Sequence, residues 1–95
     1  MILDLEAVKQ ELKVDIDDDD ERIVRKMDQA VAIVLDFLKV DSDAYENVDG
    51  DNDFPDIVYA GVIGVILAMY DKPDKDPLTP AVRSMLHRLR DPALA

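Results

Sequence analysis

Ile57-Val58-Tyr59-Ala60-Gly61-Val62-Ile63-Gly64-Val65-Ile66-Leu67-Ala68-Met69 is the stretch that decides the fold. Its β-branched residues suit a strand, but 13 residues without a charge exceed the roughly 5–6 of an ordinary strand, and Ala60, Ala68 and Met69 favour a helix. The reading is a helix over about 55–70, with Pro55 in the first turn, where the N–H it lacks would have had no partner. The same 13 residues fall short of the ~20 needed to cross a bilayer, so no membrane role is expected. A helix apolar on every side has to be surrounded.

Two glycines interrupt this helix, and each costs about 1 kcal/mol relative to alanine in a helix interior. Close approach of another helix is the expected compensation at Gly61 and Gly64. Their spacing of three residues is not the four of the membrane-helix pairing motif, so tight packing inside the chain and packing against a second chain both stay open. Gly61, Gly64, Val65 and Leu67 are the residues expected to pack within and between subunits.

Upstream, Ile23, Met27, Ala30, Val31, Val34 and Leu38 recur at three- and four-residue steps, while Arg22, Arg25, Lys26, Gln29 and Lys39 fall largely elsewhere. That periodicity predicts a long amphipathic helix over about 18–40. The acid run from Asp17 to Glu21 sits at its partially positive end, as a helix start. Before it, Asp4 as cap and Leu5, Val8 and Leu12 at helical spacing predict a short helix over about 4–12. Between the two longer helices, residues 41–56 carry seven acids, no base and Gly50, and 41–54 reads as an exposed acidic loop.

Downstream, Pro73 and Pro77 make 71–78 a linker. Thr79-Pro80 then opens a last helix over about 80–90, with Val82, Met85, Leu86 and Leu89 as its apolar face. Residues 91–95 read as a frayed or partner-bound tail. The expected fold is all-α: a bundle of two longer and two short helices, one domain over 1–95, with a partner-binding segment at 79–95. Three helices do not easily enclose a fourth, so the apolar helix is expected to leave a patch that another protein chain covers.

Composition narrows the function. With 22 acidic and 11 basic side chains the net charge is −11, which disfavours wrapping a phosphate backbone. The absence of cysteine removes disulfides, thiolate metal sites and cysteine nucleophiles. The first residues show no basic-then-apolar pattern of a secretory leader, and the cytosol is the default compartment. His87, the one histidine, falls beside Arg83, Arg88 and Arg90, with no group to orient it as a base. Asp49-Gly50-Asp51-Asn52-Asp53 offers oxygen ligands, but no register puts a carboxylate first and glycine sixth, as a calcium loop requires. Catalytic, cofactor-binding and metal-binding residues are therefore expected to be none. Residues 80–95 hold three arginines against one acid, and Arg83, Arg88 and Arg90 are the expected partner contacts.

The order of features, Leu5-Glu6-Ala7-Val8-Lys9-Gln10-Glu11-Leu12-Lys13-Val14-Asp15, an acid run opening a long helix, an apolar helix ending in Tyr70, then Leu78-Thr79-Pro80-Ala81-Val82-Arg83-Ser84-Met85-Leu86, resembles the small helical head-tail connector (adaptor, head-completion) proteins of tailed bacteriophages and phage-derived gene-transfer particles. Asp71-Lys72 departs from an asparagine-arginine pair in that pattern, and Leu89 from a tyrosine. The resemblance implies a structural subunit, not an enzyme. Made in the host cytoplasm, it would form a homo-oligomeric ring in the virion beneath the portal protein and dock the next tail-side connector or stopper protein. DNA would pass through the channel without specific binding, and Arg83, Arg88 and Arg90 would reach the portal or another partner. The alternative from another class is an acidic DNA mimic that inhibits a nucleic-acid enzyme.

Overall fold

A computed structural model describes residues 1–13 and 19–90. Four α-helices follow one another: α1 (Leu5–Leu12), α2 (Asp20–Leu38), α3 (Asp56–Asp71) and α4 (Pro80–Leu86), the last continued by a 3-10 turn over His87–Leu89. The described residues contain no sheet, only two isolated antiparallel bridges, Ile2 with Asp53 and Glu46 with Asn52. The fold is all-α, as the periodicities predict.

Each helix starts and stops for local reasons. The Asp4 carboxylate accepts from the Ala7 N–H at 2.8 Å, satisfying a donor that the first turn of α1 leaves free. Helix α2 carries Asp20 and Glu21 in its first turn, where carboxylates meet the positive end of the helix dipole. Asp19 flanks it without a side-chain cap bond, so its acids act through charge at this end. The part of the acid run at Asp17 and Asp18 lies outside the described residues. Lys39 then turns left-handed at φ 59°. Its N–H reaches the Asp36 carbonyl and that of Val40 the Leu35 carbonyl, the paired closure that ends many helices. In α4 the Thr79 hydroxyl accepts from the Val82 N–H at 3.3 Å, with Pro80 in the first turn.

Helix α3 touches α1, α2 and α4, which is the physical reason its sequence has no polar stripe. Val58, Val62, Val65 and Ile66 from α3 share one core with Ile23, Met27, Ala30, Val34, Leu35 and Leu38 from α2, Val8 from α1, and Val82 and Leu86 from α4. Leu78, in the proline-rich connection, joins the same core. Burying an aliphatic side chain of this size contributes roughly 1.5–3 kcal/mol, and α3, which meets all three other helices, ties these contributions into one core.

Three expectations need correction. The other helices cover most of α3, so the demand for an outside partner is narrower than an all-round apolar helix suggests: Ile57, Ala60 and Leu67 alone on it are both apolar and exposed. The last α-helix ends at Leu86 and continues toward Arg90 only as a tighter 3-10 turn; Leu89 on that turn is exposed, as is Met85 on α4 itself, so only Val82 and Leu86 of the expected face are buried. The acidic stretch is also not simply an exposed loop, because Phe54 is buried in the core and meets Tyr45 edge-on, with ring centroids 5.6 Å apart. The Phe54 N–H donates to the Met1 carbonyl at 2.9 Å, clipping the first residues to this segment.

Candidate assembly surface

The site begins at the glycines. A Cβ on Gly61 would stand 2.8 Å from Leu86 Cδ1, and one on Gly64 would stand 2.9 Å from Val82 Cγ2. Both glycines therefore admit α4 of the same chain. Val65 is fully buried, whereas Leu67 is partly open. Of the four residues expected to pack, three lie against or within this chain's own core and Leu67 faces outward.

Seated this way, α4 and its 3-10 turn border an open cleft of about 280 Å³ lined by Ile57, Met85, Arg88 and Leu89. Ile57, Met85 and Leu89 are 41%, 38% and 41% exposed. These apolar side chains, from α3, α4 and the 3-10 turn, share one depression, with a guanidinium beside them. Sequence periodicity assigned both Met85 and Leu89 to the core; for Leu89 it continued the α-helix through a turn that changes pitch, whereas Met85 lies on α4 itself, at the open edge of an apolar face of which only Val82 and Leu86 are buried.

The three arginines are not equivalent. Arg83 donates through Nε to the Leu78 carbonyl at 2.9 Å and pairs with the Asp76 carboxylate at 3.1 Å. Asp76 is held below its ordinary pKa first by the Leu78 N–H and then by the Arg83 guanidinium. Arg90 donates through Nε to the Phe37 carbonyl at 3.0 Å and stacks its guanidinium 4.9 Å from the Phe37 ring centre. Both are engaged inside the chain; Arg88 makes no hydrogen bond or ion pair among the described residues. Phe37, Arg83, Ser84, His87 and Arg90 line a second shallow depression of about 300 Å³, and His87 there is exposed.

On the acidic side, a tight turn projects Val48. The Gly50 N–H returns to the Asn47 carbonyl at 3.0 Å, and Gly50 at φ 83° takes a conformation that other residues adopt at a cost. The Asn47 side-chain oxygen accepts from the N–H groups of Asp49 and Asp51 at 2.9 and 3.1 Å. Val48 is fully exposed. Sequence reading passed over it, although a lone valine between Asn47 and Asp49 beside a turn glycine was the available signal.

Among the described residues no group of three or more His, Asp or Glu side chains is arranged to hold a metal ion, and no helix is long and apolar enough to cross a membrane. The arrangement offers surfaces for protein contact.

Comparison with known families fits this geometry: a model described as phage gp6-like head-tail connector protein matches residues 2–84. The chain belongs to that family. It is a structural connector of a phage or phage-like virion that assembles with other head and tail components, and its family is not an enzyme family. Membership decides against the DNA-mimic alternative. No curated protein and no solved structure matches the chain significantly. Within the connector, Ile57 and the α3 glycines lie inside the matched span, while Met85, Arg88 and Leu89 follow it.

Proposed function

We propose that the connector forms a ring of identical subunits beneath the portal, extends the DNA channel and presents a surface for the next tail-side component. The observation that carries this reading is the cleft of Ile57, Met85 and Leu89, left open beside Arg88 in a chain whose family joins heads to tails. Exposed apolar side chains gathered in one place mark protein contacts, and a closed ring covers such a surface on every copy.

The segment 79–95 makes the contact with the portal or with the neighbouring copy. In it, Arg88 is the partner-facing arginine, because Arg83 and Arg90 already serve Asp76 and Phe37. An excess of carboxylates, net charge −11, suits a channel component past which DNA slides, since like charges repel at close range. Gly61 and Gly64 act upstream of the contact by fixing where α4 presents its outer residues.

Light scattering on the purified chain over a concentration series, alone and mixed with the portal protein of the same particle, tests the ring. The expected result is one discrete multi-subunit species in at least one of the two conditions, unchanged by calcium or chelator. The mass of a single chain in both conditions contradicts the ring.

A further inference from the structure

The connector carries two features left open by its own chain. One is the projecting Val48, fully exposed at the tip of the Asn47–Gly50 turn. The other is the cleft of Ile57, Met85 and Leu89 with Arg88 beside it. We propose that Val48 of one copy seats in this cleft of the next, with Arg88 facing the carboxylates that flank the turn.

Three observations support a second copy as the occupant. The first is shape: the cleft is open and apolar, and Val48 is a small apolar side chain left fully exposed by its own chain. The second is charge. Residues 41–56 carry seven acids and no base, and Asp49 and Asp51 stand on either side of Gly50, so the turn brings negative charge to a cleft whose one charged lining residue among the described residues is an arginine. Opposite charges at a contact steer encounter and fix its register.

The third is preorganisation. The Asn47 side chain holds the turn through two hydrogen bonds, while the glycine contacts hold α4 over α3, so neither partner has to be ordered on binding. A knob and a pocket on different parts of one surface make a head-to-tail contact. Such contacts give rings when the rotation closes, and open filaments when it does not. The inference thus rests on the ring reading and names the contact that builds it.

The cysteine-free chain allows a direct test by disulfide trapping between Val48→Cys and Met85→Cys chains, mixed under mild oxidation. Both sites are exposed, so both variants keep the far-UV circular dichroism of the parent. A bond between the two introduced thiols needs their Cβ atoms about 3.5–4.5 Å apart. The mixed dimer is expected to form at least about tenfold faster than between Val48→Cys and Asp28→Cys, a control on the exposed surface of α2. Arg88→Glu slows trapping, and adding Asp49→Arg and Asp51→Arg to the Val48→Cys chain restores it.

Trapping no faster than the control, while light scattering shows a multi-subunit species, overturns this contact and leaves the ring standing. Slow trapping with a single-chain mass, portal absent, overturns the contact between free copies and leaves assembly to the portal experiment. A dominant bond between two Val48→Cys chains overturns the head-to-tail arrangement in favour of a two-fold one. Protection of Met85→Cys from thiol reagents in a single-chain species shows the cleft filled by its own chain, and overturns the proposal too.

Discussion

Gly61 and Leu86 are fitted so closely that a single added methyl group on the glycine would lie 2.8 Å from Leu86 Cδ1, with Leu86 fully buried. The position of α4, and with it of Met85, Arg88 and Leu89, depends on that missing side chain.

Gly61→Ala therefore sets two effects against each other. Alanine favours the helix by about 1 kcal/mol, and overpacking a filled core costs about 1–3 kcal/mol. Leu86 is fully buried and its Cδ1, Cδ2 and Cγ would all lie within 3.1 Å of the added carbon, so the clash is expected to win, and urea unfolding to show a net loss of about 1 kcal/mol. In a Leu86→Ala background the clash is gone, so Gly61→Ala is expected to stabilise that variant. A stabilising Gly61→Ala in the parent chain contradicts the close fit.

Lys9 supplies a second test. Its side chain is 6% exposed and its ammonium lies 3.0 Å from the Asp20 carboxylate, joining the end of α1 to the start of α2. Removing one member of a buried pair leaves a charge without its partner. Asp20 keeps one third of its surface in water, which softens the cost. Lys9→Ala is expected to lower stability by about 1–3 kcal/mol, measured by urea unfolding, and an unchanged midpoint contradicts a structural ion pair.

Much of this fold was legible in the sequence, and the parts that were not share a cause. The caps at Asp4 and Thr79 and the apolar run of α3 are local signals, and the structure honours them. Burial of Lys9, anchoring of Phe54 within an acid-rich stretch and the engagement of Arg83 and Arg90 depend on residues from 5 to 53 positions away or on other elements, which no local pattern encodes. At the site, the glycines announced a close contact without saying with what. Leu89 was placed inward because a helical wheel assumes constant pitch, whereas the chain tightens at His87–Leu89; Met85 lies within α4, where the wheel marks an apolar face without saying that only Val82 and Leu86 of it are buried.

The arginines separate structural from assembly roles. Arg90 both donates to the Phe37 carbonyl and stacks on its ring, closing the end of α2. A cation over an aromatic face contributes about 0.5–2 kcal/mol, and Arg90→Ala is expected to lower stability by about that much. Arg88→Ala should leave the unfolding midpoint where it is while weakening assembly. Equal thermal effects for the two variants contradict the assignment.

Asp76 predicts an acid-sensitive step in stability. Its folded pKa is depressed, first by the Leu78 N–H and then by Arg83, so its contribution is complete above the unfolded value of about 4 and fades as pH falls through the folded value. Asp76→Asn is expected to flatten the stability profile below pH of about 4 relative to the parent. Its effect is small, because the carboxylate is exposed and screened by solvent. Parallel profiles contradict the role of Asp76 as the anchor of Arg83.

Deleting the connector's coding sequence and imaging the resulting particles by electron microscopy tests the central claim most directly. The expected result is heads and tails that accumulate apart, rejoined when the parent chain is supplied; joined particles at normal numbers without the protein would contradict its role as the structural link between them.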